Sequence, residues 1–302
     1  MSEPVAVAAA EAAAPAPAAG LRIDRFTVIS VLTLLLVLLH SDDAWYIRVP
    51  AGIFALAGFF VPNLIRNAGF WLMLSLLSMM GNALNWQRAD NHKYLIAYWC
   101  LAVGLSMLTR DPEENMGRSA RLLIGAAFFF AVFWKLVSRD FLNGAFFESS
   151  LLFDDRFSYV GRAVGGMIQP LQAANLSAQH ALLSYDSTMD VAALQYSAGI
   201  RIMARFFTWW GLLTETLVAA AFLLPRGKLF RIPRDYYLLT FLFSTYAIAS
   251  VIGFGWVLAT MGYAQSREAP RSVARLYVLA VVVMQAYKLP WRLIFEYLTA
   301  LS

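Results

Sequence analysis

Three side chains stand where their chemistry is out of place. Glu215 lies ten residues after Arg205 and ten before Pro225, near the middle of an apolar run, and is the only acidic residue deep in any such run. An ionised carboxylate at that depth costs on the order of 2.5–3.5 kcal/mol on insertion scales. It therefore reads either as a working group or as a neutral acid hydrogen-bonded to a neighbouring helix. Lys135 closes the aromatic run Phe128 to Trp134. It reads as a lysine snorkelling to an interface, or as a desolvated amine able to act as a general base. Arg139, one turn on if the helix continues, would strengthen the second reading, and Asp140 would oppose it. His92, in the stretch Asp90, Asn91, His92, Lys93, Tyr94, opens a further apolar run. It is either a structural histidine at a helix end or a titratable partner for Lys135.

The elements that must position these groups are apolar runs at roughly 25–40, 48–65, 68–85, 93–109, 119–138, 202–224, 236–261 and 272–289. Each is long enough to approach the 30 Å of a bilayer core, so the expected architecture is an all-α transmembrane bundle of about eight spans. Pro62 makes 48–65 the weakest of them. Composition agrees. Sixty per cent of the 302 residues are hydrophobic and 14% are charged, against roughly 25% charged in soluble domains, and the mean hydropathy is +0.60. A soluble globule, a disordered chain and a disulfide scaffold are excluded as the main class. The net charge of +5 resembles a nucleic-acid signal only until the basic residues are located singly in short connections, so no nucleic-acid partner is expected.

Arg and Lys favour, two to one, the short connections on the side of the N-terminus. This predicts a cytoplasmic N-terminus and, with eight spans, a cytoplasmic C-terminus. Parity then brings His92 and Lys135 to the same, outer face. Residues 1–20, half alanine with Pro4, Pro15 and Pro17, read as a disordered tail ahead of a single domain over 21–302, and Pro290–Ser302 as a short interfacial helix. The long connection, about 139–201, is too apolar for a floppy linker and predicts short helices on the outer face. Its Gly161, Gly165 and Gly166 suggest close helix packing. Cys100, the one cysteine, reads as a small packing residue. No metal-ligand spacing, nucleotide-binding fingerprint, Walker motif or hydrolase motif occurs, and no metal is expected.

These residues also carry a family resemblance. Asn91, His92, Lys93, Tyr94, Leu95 at the head of an apolar helix is similar to the Asn-His-x-Tyr-Leu segment in the membrane part of vitamin K-dependent gamma-carboxylases. Phe133, Trp134, Lys135, Leu136, followed by Asp140 to Gly144, resembles their Lys-Leu…Asp-Trp-x-x-Gly stretch, with one extra residue and Phe141 in place of tryptophan. Thr208, Trp209 and Glu215, Thr216, Leu217 resemble the Thr-Trp…Glu-Leu of the wider bacterial family sharing this membrane domain, the HTTM proteins. The likeness runs from about 25 to 290, although the histidine expected about ten residues before Ile252 and Gly253 is missing. It implies a multi-pass protein of a bacterial inner membrane and a reduced quinone as cofactor. It also implies a lysine base at Lys135, assisted by the histidine at His92.

Two classes of function follow. One is a quinone-dependent, carboxylase-type lyase working in an apolar, water-excluding pocket, with Lys135 and His92 as catalytic residues and Glu215 as proton acceptor or structural acid. The other is a non-catalytic membrane component that matures a secreted peptide or assembles with a soluble partner subunit. A transporter is disfavoured, because neither paired broken helices nor internal symmetry is visible. A catalytic role for Lys135 predicts that Lys135→Met abolishes activity at near wild-type stability.

Overall fold

The computed structural model describes residues 24–40, 44–61, 63–87, 89–184, 194–195, 197–225, 232–249 and 251–286. The expected tail over 1–20 and the expected interfacial helix over 290–302 lie outside these. Among the described residues every regular element is helical: α1 (Arg25–His40), α2 (Trp45–Phe60), α3 (Ala68–Leu84), α4 (Asn91–Ser106), α5 (Pro112–Val137), α6 (Arg139–Leu142), α7 (Ala145–Phe153), α8 (Ser158–Ala163), α9 (Gln169–Leu183), α10 (Ala198–Leu223), α11 (Arg234–Ile248), α12 (Ile252–Gln265) and α13 (Arg271–Ala286).

Local chemistry sets several of these ends. The Thr27 backbone N–H donates to Asp24 Oδ1 at 3.0 Å, closing the first turn of α1, and Arg66 donates to Asp24 Oδ2 at 2.9 Å. Pro112 opens α5, where its missing N–H costs nothing, followed by Glu113 and Glu114 at the positive end of the helix. Ser138 leaves the helical region and its hydroxyl accepts from the Phe141 N–H at 3.2 Å, so α5 stops and α6 begins there. Hydrogen bonds from Thr27, then the Arg66 guanidinium, hold the Asp24 carboxyl below the usual carboxylate range. A depressed carboxyl contributes stability above about pH 4 and loses it as pH falls through the folded value. Melting temperature followed from pH 7 to 3 should therefore fall less steeply at the acid end for Asp24→Asn than for the wild type.

The run 236–261, expected as a single span, is two helices, α11 ending at Ile248 and α12 beginning at Ile252. In one continuous helix Asp235 and Gln265 would stand about 45 Å apart. Instead the Gln265 side-chain amide donates to Asp235 Oδ1, and the Tyr277 hydroxyl from α13 donates to the same oxygen at 3.0 Å. The hairpin changes the parity of everything after it. Arg25, at the start of α1, donates to the Tyr263 carbonyl and to Ser266 Oγ at the end of α12. At the opposite end His40 closes α1 beside Gln285 of α13. The described part of α13 thus finishes at the end of the bundle away from Arg25, where eight simple crossings would have returned the chain to it.

Helix α12 is the centre of the bundle, with Gly253, Gly255 and nearly every residue from Trp256 to Ala264 buried. Tryptophans tie the layers around it: the Trp256 indole donates to the Leu32 carbonyl at 3.1 Å, and the Trp99 indole donates to Thr33 Oγ1 at 2.9 Å. The long connection forms short helices, as expected, and builds a second apolar cluster. Leu151, Leu152, Phe157 and Met167 pack there on Ile200, Met203 and Phe207 in the first half of α10. Of the three glycines Gly165 serves close packing, Gly166 takes a left-handed turn at φ 69°, and Gly161 has only ordinary contacts. A Cβ on Gly165 would fall 2.6 Å from Ile200 Cδ1, and one on Gly199 would fall 2.9 Å from the Gly165 carbonyl.

Two of the described helices, α5 and α10, are long and apolar enough to cross a membrane. Only 22% and 39% of their most apolar windows are buried inside the protein, unlike the core helix of a soluble domain. Phe129, Phe130, Phe133 and Trp134 of α5 and Phe206, Trp209 and Leu213 of α10 face outward, the kind of apolar surface that marks contact with a membrane or a partner.

Candidate functional site

Helices α5 and α10 run antiparallel. Gly125 lies against Phe222 and Leu223, where an added Cβ would come within 2.6 Å of Leu223 Cδ2, and Gly144 lies against Arg205 and Thr208. This register sets the last turn of α5 against the middle of α10. There Lys135 Nζ donates to Glu215 Oε1 and forms an ion pair with it. The two residues, read separately from the sequence, are one unit, 80 positions apart in the chain.

The unit is largely closed off. The Lys135 side chain is 23% exposed and that of Glu215 12%. Phe141 of α6, itself buried, lies over Lys135 with its ring centre 5.0 Å from Nζ, an attractive arrangement for a cation on a ring face. Phe146, Phe147 and Phe207 continue the aromatic roof. This cover exists because the chain breaks at Ser138. A continuing helix would have put Arg139 one turn above Lys135, whereas Arg139 and Asp140 open α6 and are exposed. Glu215 Oε2 is buried and, among the described residues, has no hydrogen-bond partner. An acceptor left so is costly. Tyr246 of α11, also buried, lies within electrostatic range of Glu215.

His92 occupies a different level. Its ring, 12% exposed, rests on Gly253 in the first turn of α12, where a Cβ would fall 2.7 Å from His92 Cδ2 and 2.8 Å from Nε2. The same point is 3.3 Å from His40 Nδ1. On α5, the level of α12's first turn is marked by Phe128, whose ring is 6.3 Å from that of Phe254. Lys135 is seven residues, or about 10 Å, further along α5. His92 and Lys135 thus share an end of the bundle, as parity required, while the direct partner of Lys135 is Glu215. In the sequence His40 lacks the context that marks His92. The signal that could have found it is the same parity rule, since α1 must end on the face where α4 begins.

Among the described residues no group of three or more His, Cys, Asp or Glu is placed to hold a metal ion. Cys100 is buried in the core and its thiol is unpaired. What the arrangement can do chemically is hold one proton between Nζ and Oε1, in a place with little water, beside an acceptor oxygen in need of a donor. Comparison of the chain with protein-family models, with curated proteins and with solved structures finds no match.

Proposed function

We propose that the chain is a multi-pass protein of a bacterial inner membrane, with a cytoplasmic N-terminus and an HTTM-like membrane domain. On this reading it carries out a proton-transfer reaction on a membrane-borne quinol at the outer end of the bundle. The observation that carries this reading is the Lys135–Glu215 pair with its unpartnered oxygen Oε2. In an ion pair Lys135 is protonated and cannot serve as a base. With water excluded, the proton can cross the single hydrogen bond to Oε1, which leaves both groups neutral and frees Nζ to accept a proton from a bound hydroxyl. Glu215 is the proton acceptor that makes Lys135 a base, and His92 adds a titratable group on the same end.

The residues present fit a reduced quinone. Glu215 Oε2 and Lys135 Nζ would hold a ring hydroxyl, and Phe141 offers an aromatic face beside them. Bound there and oxidised by oxygen, such a quinone would supply a base strong enough to deprotonate a glutamyl side chain. The chain's own part is to bind the hydroxyl, take its proton at Nζ and keep water away through the aromatic roof. Outward-facing Phe133, Trp134 and Trp209 leave the approach to the pair on the side that lipid would cover. A second reading, a non-catalytic component that binds a peptide or partner subunit, is favoured only if the pair serves to lock α5 onto α10.

Quinone binding to the purified, detergent-solubilised protein separates them. The wild type should bind a short-chain quinone, and Lys135→Met and Glu215→Gln should each weaken binding at least about tenfold, equivalent to roughly 1.4 kcal/mol. A folded wild type without measurable affinity would discard the quinol reading in favour of the partner-subunit one.

A further inference from the structure

Four helix ends meet around His92. His40 ends α1, His92 stands in the first turn of α4, Gly253 in the first turn of α12, and Gln285 in the last turn of α13. Gly253 leaves a notch between the two imidazoles. The position a Cβ would take there is 2.8 Å from His92 Nε2 and 3.3 Å from His40 Nδ1, so a larger residue would displace the His92 ring and crowd that of His40. The far nitrogen of each ring has polar company: His92 Nδ1 faces Asp90 Oδ2 at 3.9 Å, and His40 Nε2 faces the Gln285 amide at 3.5 Å. The edge of Trp256, 5.6 Å between ring centres, fixes the plane of His40, and Trp256 is itself pinned by its bond to the Leu32 carbonyl.

We infer that His40 is a positioning residue for His92, and that the two imidazoles in the Gly253 notch titrate as one coupled unit. Two rings that approach one point with nitrogen atoms cannot both carry a proton without mutual repulsion, so the protonation of each depends on the other. Among the described residues the groups facing the pair include Asp90 from the head of α4, Trp256 from α12 and Gln285 from α13. A unit anchored on four helices at once keeps His92 in one orientation. A lone histidine at a helix end would swing with the fraying first turn. The inference rests on the proposed proton-transfer reading only for what the unit is used for, namely to set the charge on the end of the bundle that holds Lys135.

The chain has three histidines, so 15N-imidazole spectra of detergent-solubilised protein are assignable with His180→Asn. In the wild type, the His92 signals should titrate in two steps that coincide with those of His40. In His40→Gln they should collapse to one step displaced by at least about 0.5 pH unit. Gly253→Ala should shift the His92 signals across the whole pH range while leaving those of His180 in place. Two independent single-step curves in the wild type would overturn the inference, and that result needs no substitution to fold. Quinone affinity measured on the same samples keeps the two ideas apart. Loss of the quinol reading leaves the coupled titration intact, and uncoupled histidines leave Lys135-dependent binding intact.

Discussion

Lys135→Met should lower the melting temperature of the purified protein by roughly 6–12 °C, and the double variant Lys135→Met with Glu215→Gln should recover most of the loss. Removing the lysine strands a carboxylate 12% exposed whose second oxygen has no partner among the described residues. Breaking one side of a buried pair costs on the order of 3 kcal/mol, and about 1 kcal/mol moves the midpoint of a domain this size by roughly 2–4 °C. Neutralising Glu215 as well removes the stranded charge. A catalytic lysine standing alone would instead lose activity at wild-type stability, the outcome the sequence suggests when Lys135 is read by itself. Equal melting temperatures for wild type and Lys135→Met would mean that the pair is not held in a closed site. The idea of a proton shared across one hydrogen bond would go with it.

Gly262→Ala should cost about 3 kcal/mol or more, or prevent the protein from accumulating. The new methyl would fall 2.3 Å from Tyr277 Cε1 and 2.7 Å from Cζ. Tyr277 is fully buried and cannot step aside without releasing Asp235, itself 4% exposed. The loss combines overpacking, typically 1–3 kcal/mol, with weakening of a buried hydrogen bond to a carboxylate. Gly211→Ala is the matched control. Nothing lies within 4 Å of its added methyl, and alanine in place of glycine in a helix interior gains up to about 1 kcal/mol. Thermal unfolding of the two variants beside the wild type is the measurement. If Gly262→Ala unfolds with the wild type, then Tyr277, Asp235 and Gln265 do not lock α11, α12 and α13 together, and the hairpin itself is called into question.

The helices were largely legible in the residues. Arg25–His40 has the limits expected for it, and the helices that match the other apolar runs begin or end within a few residues of them, except at the start of α5 and within 236–261. Pro112 and Ser138 bound α5 through their own local chemistry, although only the structure decided that the chain turns at Ser138 and lays Phe141 over Lys135. The reversal between α11 and α12 was hidden because Ile248, Ala249, Ser250, Val251 and Ile252 contain neither glycine nor proline and stay mostly apolar. Hydropathy reports burial and is blind to the direction of the chain.

For the candidate site, residue types alone marked Lys135, Glu215 and His92 as unusual, since a charge or an imidazole in an apolar run carries its cost wherever its neighbours lie. Which of them meet was a matter of packing. Lys135 finds Glu215 because Gly125 lets α5 and α10 approach closely in an antiparallel register. His92 and His40 come to one point because Gly253 carries no side chain on the central helix. Contacts between residues 80 positions apart depend on which helices become neighbours and at what height. Those choices are made by small side chains at helix crossings, and nothing in the local sequence around a lysine or a histidine records them.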